Sequence, residues 1–216
     1  MRDDSNPTEI DAKGNKCWKV DGKLHREDGP AVISSYVEYY YKNGELHSYN
    51  DEPAINFKDG HQEWYKNGLL HRDSDLPAIV SHNGRKEWYQ NGQLHRETDL
   101  PASINKKGDQ KWYKHGLLHR DNDQAASITH KGSQKWYKNG KLHRDGGKPA
   151  FVGKTKTVWA LNDEYHREDG PAVIWSDGGI EWWLHGKVSS EQEVNHYKLE
   201  QVLEINSEKL NRKLKL

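Results

Sequence analysis

The sequence predicts an all-β protein: an elongated antiparallel sheet of stacked β-hairpin repeats of about 24 residues, with a C-terminal α-helix. Three observations lead there. A phrase of the form Trp-Tyr-Lys-Asn-Gly-Leu-Leu-His-Arg, here residues 64–72, recurs in register along nearly the whole chain. An Asn-Gly pair stands at a fixed place in that phrase, between an aromatic pair and an apolar residue, which is the strongest short-range hairpin signal. After Ser189 the periodicity stops, and Ser190-Glu191-Gln192-Glu193 has the Ser-x-x-Glu form of a helix capping box.

The elements follow in chain order. Pro7 precedes Gly14 by the interval that separates Pro77 from Gly84, so residue 1 falls in mid-repeat. The histidines at 25, 47, 71, 95, 119, 143 and 166 are spaced 22, 24, 24, 24, 24 and 23 residues, and all seven prolines share one position of the repeat. Asn-Gly at 43–44, 67–68, 91–92 and 139–140 predicts type I′ turns, and Gly60, Gly84, Gly108 and Gly132 predict the return turns. Between them we expect two strands per repeat: a short one carrying Trp-Tyr, and a longer one from Leu-His-Arg to Ala-x-Ile, bent at proline. With a two-residue turn, Tyr65 opposes Leu70 on one face and Trp64 opposes His71 on the other. Ala102 with Ile104, and Ala126 with Ile128, mark a consistently apolar face, while the residue between them varies. The copy Trp182-Trp183-Leu184-His185-Gly186 lacks the His-Arg pair and ends the array. Residues 1–190 therefore form one array of about eight units, and 191–216 a helical cap. Its apolar stripe is Val194, Tyr197, Val202, Ile205, Leu210 and Leu214, with a break expected near Asn206-Ser207.

Composition narrows the function. Leu, Ile, Val and Phe make up under a fifth of the 216 residues, but formal charge is zero and there are 9 Trp and 11 Tyr, so the chain is expected to fold around aromatic contacts. Cys17 is the single cysteine, which excludes an internal disulfide and a cysteine-based zinc site. No apolar run is long enough to span a membrane and Met1-Arg2-Asp3-Asp4 lacks a signal-peptide stretch, so a soluble, cytoplasmic protein is expected. Neutral charge makes nucleic acid an unlikely partner.

The phrase Trp-Tyr-x-Asn-Gly-x-Leu-His-Arg followed by Pro-Ala resembles the variant form of the MORN repeat (membrane occupation and recognition nexus) and covers almost the whole array. The resemblance implies an antiparallel sheet of stacked hairpins that scaffolds protein complexes. Variants with the Leu-His-Arg phrase are implied to be common in large DNA viruses and phages. The Trp-Tyr opening departs from the usual Tyr-x-Gly and speaks against a lipid role.

Three side-chain sets bear on chemistry. Equivalent histidines two strands apart lie roughly 9.5 Å from one another, too far to share one metal ion. They are expected to form a structural ladder of His on Trp with the neighbouring arginines: Trp64, His71, Arg72, Trp88, His95, Arg96, Trp112, His119, Trp136 and His143. His71-Arg72 with Asp75, and His95-Arg96 with Asp99, look like acid–base clusters. Repeated along a sheet, they read instead as ties between hairpins, with arginine bridging to a carboxylate of the next unit. Residues 105–144 are strongly basic, and Lys106, Lys107, Lys111, Lys114, Arg120, Lys131, Lys135, Lys138, Lys141 and Arg144 are the candidate contacts for a partner or anion.

The expected function is a non-enzymatic, protein-binding repeat scaffold without cofactor or metal. The viral flavour of the resemblance extends it to a viral protein that blocks a host defence or signalling component. The alternative is a protein that binds and sequesters a small anion such as a nucleotide or phosphorylated metabolite. The open sheet edge leaves both a monomer and an edge-paired homodimer open. Ser48 in place of arginine, Gln124-Ala125 in place of Leu-Pro, Gly147 in place of aspartate and Asp163 in place of the turn glycine mark where the repeat breaks.

Overall fold

The computed structural model describes residues 6–213. The Met1–Asp4 terminus and Leu214 of the expected helical stripe lie outside the described residues. The chain divides into two compact units, Met1–Leu117 and Leu118–Leu216. Among the described residues, the first unit holds ten short strands of antiparallel sheet, from Glu9–Ile10 to Gln110–Lys111, each paired with the next. The second holds seven, from Ser127–Ile128 to Lys187–Ser189, and then helix α1, Glu191–Lys213. Hairpin repeats in antiparallel sheet, followed by one C-terminal helix, are thus the fold class the sequence predicts.

The repeats contain four short strands rather than two, except the last copy, where Ile180–Leu184 runs unbroken through Trp182. In the repeat around Trp64, Gln62–Glu63 and Ile79–Val80 belong to the sheet, whereas Tyr65–Lys66 and Leu69–Leu70 form a separate two-stranded hairpin. The register Tyr65↔Leu70 is the expected one. Two features break the expected strands. At Trp64 the chain leaves the sheet: its N–H donates to the Ala78 carbonyl at 2.8 Å, and its own carbonyl accepts from His71 N–H. Trp64 is 4% exposed and Ala78 not at all, so a larger side chain has no room at the alanine. After the hairpin, Ser74 and Asp75 both take positive φ and turn the chain, so no strand continues from Leu-His-Arg to Ala-x-Ile.

The hairpin turns carry positive φ at both central residues, as at Asn67 and Gly68. They also stack: Gly68 N–H donates to Leu46 O of the preceding hairpin, and Gly92 N–H to Leu70 O. At the glycine-less turn Asp163 keeps this bond to Leu142 O at a φ of 74°, and its carboxylate accepts from Leu142 N–H.

Face assignment differs from the expectation. The variable position holds the deeper apolar residues Ile55, Ile79 and Val173, while Ile104, Ile128 and Ile174 are half-buried. The reason is the hairpin tyrosine. Tyr65 lies two residues from Glu63, shares its face and donates to Glu63 Oε2 at 2.8 Å, which covers the side where Ile79 pairs with Glu63.

Helix α1 starts with the expected capping box. Glu193 N–H donates to Ser190 Oγ, and Ser190 N–H to Glu193 Oε2. It docks on Ile180–Leu184 through its first turns, with Val194 fully buried and Tyr197 half-buried against His185. No break occurs at Asn206-Ser207. Val202 and Ile205 are about half exposed. A helix of this length runs about 34 Å, twice the roughly 17 Å of a five-residue strand, so its second half outruns the support.

Candidate functional site

The loop after each hairpin concentrates the polar residues of the repeat, and the structure shows how they are engaged. Arg72 Nε and Nη2 donate to the two carboxylate oxygens of Asp51 at 2.8 and 2.7 Å. The same bidentate pair recurs as Arg96 with Asp75 and Arg144 with Asp123. Nη1 of each donates to the carbonyl before the alanine: Pro77, Pro101 and Pro149. The tie reaches back to the preceding repeat, opposite to the expected direction, because the positive-φ pair at the loop apex brings aspartate beside the next repeat's arginine. Those arginines hold the Asp51 and Asp75 carboxyls below the usual carboxylate range. Asp123 is pushed lower still by Arg144 together with Lys148.

Arginine, not histidine, lies over the tryptophan. The guanidinium carbon is 3.7 Å from the Trp64 ring centroid in Arg72, 4.1 Å from Trp88 in Arg96 and 3.9 Å from Trp136 in Arg144. The indole N–H of each donates to the carbonyl of the same aspartate: Asp51, Asp75 and Asp123. Trp112 donates to Asp99 O at 3.4 Å. Here β-branched Thr98 stands where Ser74 or Asn122 takes positive φ, and neither Thr98 nor Asp99 adopts it.

Histidine spans to the following hairpin. Nδ1 of His71 accepts the backbone N–H of Asn91, His95 that of His115, His119 that of Asn139 and His143 that of Asn162. Nδ1 is therefore the acceptor and Nε2 carries the proton. That Nε2 meets Asp73, Asp121 and Asp145 for His71, His119 and His143, at 2.8–2.9 Å. In His95 it lies 3.3 Å from Glu97 Oε1 without hydrogen-bond geometry, and the ring stacks on His115 with centroids 4.5 Å apart. Burial lowers the pKa of His47, whose Nδ1 accepts from Asn67 N–H and whose ring meets Tyr49 edge-on where the other repeats place a carboxylate.

Loop length decides the wiring. The loops 25–31 and 166–172 are one residue shorter and read Arg-Glu-Asp-Gly-Pro-Ala after histidine. There arginine turns to its own loop, Arg26 to Asp28 at 2.8 Å and Arg167 to Asp169 at 2.7 Å. Gly29 and Gly170 allow it: a Cβ at Gly170 would sit 2.9 Å from the Arg167 guanidinium carbon, and one at Gly29 3.2 Å from that of Arg26. The sequence signal was the Gly-Pro in these loops, against Glu-Pro, Leu-Pro, Gln-Ala or Lys-Pro in the longer ones.

The ten candidate basic residues are spread over different environments. Lys106, Lys107, Lys111 and Lys114 belong to the first unit, and the other six to the second. Lys106 and Lys107 lie in the return turn that Asn105 closes by accepting from Lys107 and Asp109 N–H, and Lys131 in the turn closed by Thr129. Lys111 is exposed on the sheet, and Lys135 reaches over the Phe151 ring at 5.4 Å. Lys114 and Lys141 lie on hairpins. Lys138 pairs with Asp145, Arg144 is committed to Asp123 and Trp136, and Arg120 donates to Ala125 O.

Among the described residues, no three His, Cys, Asp or Glu side chains come together as ligands for a metal ion, and no helix is long and apolar enough to cross a membrane. Comparison with protein-family models and with curated proteins gives no match.

Proposed function

We propose that the chain is a non-enzymatic, cytoplasmic scaffold that binds another protein through the surface of its repeats. One observation carries this reading: the repeat spends its chemically capable side chains on itself. Arginine is held by aspartate and tryptophan, and histidine by the next backbone and a carboxylate. Of the candidate basic residues, those left to present are exposed lysines without an ion pair among the described residues, Lys106, Lys107 and Lys111 in the first unit and Lys131 and Lys141 in the second, each set suited to an acidic partner. The resemblance to MORN-variant repeats supports the scaffold role, and their viral occurrence extends it to a protein that blocks a host defence component.

The test is native mass spectrometry of the tagged full chain after exposure to host lysate. Wild type is expected to carry a protein-sized adduct. Lys106, Lys107, Lys131 and Lys141 changed together to Glu should lose it at unchanged Tm, while an adduct that survives these reversals sinks the reading. A nucleotide-sized mass instead would establish sequestration of a small anion.

A further inference from the structure

One repeat lacks what its siblings supply. At Asp51, Asp75 and Asp123 an aspartate with φ of 61, 56 and 54° offers both carboxylate oxygens to the next arginine. The corresponding residue of the following loop is Gly147, with a φ of 67°, the same backbone conformation with no carboxylate on it. Its arginine, Arg167, gives Nε to Asp169 and Nη1 to Pro171 O, and its Nη2 makes no hydrogen bond among the described residues. Trp159 keeps the indole bond to the loop, to Gly147 O at 2.8 Å, and the guanidinium over its ring at 3.9 Å. It is nevertheless only half-buried, where Trp64, Trp88 and Trp136 are buried.

A cavity of about 410 Å³ opens there, lined by Gly146, Gly147, Lys148, Trp159, Arg167 and, from α1, Lys198. Its acids are engaged: Asp145 by His143 and Lys138, Glu168 by His166, Asp169 by Arg167. Arg144 and Lys148 are engaged by Asp123. Lys198 has no ion pair among the described residues, so the cationic donors that line the cavity without a described partner are Arg167 Nη2, on a guanidinium paired through Nε with Asp169, and the Lys198 ammonium. The neighbouring cavity, lined by Trp136, Arg144 and Asp123, contains its own carboxylate.

We propose that this cavity binds a carboxylate supplied in trans, which takes the place of the missing aspartate side chain with Arg167 and Lys198 as its cationic contacts. The donor is a small organic acid or an acidic side chain of a protein. The site needs no scaffold partner and stands independently of the reading above.

The full chain, labelled with 15N, is titrated with sodium glutarate and, separately, with a short blocked peptide containing adjacent Asp and Glu. Glutarate is expected to shift the Trp159 indole N–H signal saturably while the other indoles stay in place. Gly147→Asp should weaken this response about tenfold or more by filling the site from within. Its fold is safe, since a Cβ at Gly147 meets nothing within 4 Å and aspartate adopts this φ in three sibling loops. Lys198→Ala should weaken it by a smaller factor. Tighter binding of the peptide than of glutarate assigns the carboxylate to a protein, and the reverse to a free acid. The proposal is overturned if all indoles shift together, if no response saturates, or if Gly147→Asp titrates like wild type.

Discussion

The loop 71–78 and the loop 166–172 start from the same Leu/Tyr-His-Arg phrase and end in the same Pro-Ala, yet they distribute one ion pair differently. In the longer loop the two partners sit in different repeats: Asp75 serves Arg96, and Arg72 is served by Asp51. In the shorter loop Arg167 and Asp169 serve each other. The difference explains two departures from the repeat that look like drift in the sequence. Ser48 follows the short loop 25–31, where Asp28 is already held by Arg26, so an arginine at 48 would find no carboxylate. Gly147 precedes the short loop 166–172, where Arg167 has its own aspartate, so an acid at 147 is not required by the fold. Wiring between repeats couples neighbours, and wiring within a loop isolates them.

The largest effect that tests this contrast is removal of the tryptophan under the arginine. Trp88→Ala should cost about 3–5 kcal/mol, because the ring is 8% exposed and supports the Arg96–Asp75 tie above it. Trp159→Ala should cost distinctly less, since that residue is only half-buried and the Arg167–Asp169 pair does not depend on another repeat. Urea midpoints at unchanged m-value read the difference. Equal losses would break the contrast.

Arginine gives the next smaller effect. Arg96→Ala removes a bidentate pair and a ring contact, and about 2 kcal/mol is expected, with the half-exposed Asp75 limiting the gain from charge. Arg167→Ala should cost less, about 1 kcal/mol, because its ion pair is a single Nε bond to an exposed carboxylate, while the Nη1 bond to the proline carbonyl and the ring contact are lost at both arginines. Hydrogen exchange sharpens the point: Asp75→Asn should raise exchange at the Arg96 loop, one repeat away, while Asp169→Asn should affect its own loop alone. Ser48→Arg should change stability by less than about 0.5 kcal/mol, and a clear gain would show that Asp28 can be shared.

What was legible in the sequence was what is local. The Asn67-Gly68 turn, the Tyr65↔Leu70 register and the Ser190–Glu193 capping box each depend on residues within a few positions, and the structure places them as expected. The strand break at Trp64 was hidden because it depends on how closely Ala78 approaches, fourteen residues on. The loop turn was hidden because its left-handed residues are Ser74 and Asp75 rather than glycines. The burial of Ile79 over Ile104 depends on Tyr65 folding across the sheet, which alternation alone does not encode. The helical stripe was half legible: Val194 and Tyr197 find a surface, and Val202 and Ile205 lie beyond it. The direction of the arginine tie was illegible for the same reason as the loop turn, since φ at the apex sets which repeat the aspartate faces.

The smallest expected effect separates His47 from the other loop histidines. Its Nδ1 accepts from Asn67 N–H, so the fold uses the neutral ring, and burial sets its pKa below the ordinary value of 6.5. No carboxylate stands two residues on to favour the charged form, because Tyr49 occupies that place. With the folded pKa depressed, the unfolded chain binds more protons between the two values, and ∂ΔG/∂pH is positive there. The contribution of His47 is complete above about pH 6.5 and is lost as pH falls through the folded pKa. His47→Asn keeps an acceptor near the Nδ1 position and cannot titrate. The fall in Tm between pH 7.5 and about 5 should therefore be shallower in His47→Asn than in wild type, by no more than about 2–4 °C. If the two proteins fall alike, burial of His47 does not contribute to the acid limb, and the contrast between the loops reduces to the arginine tie.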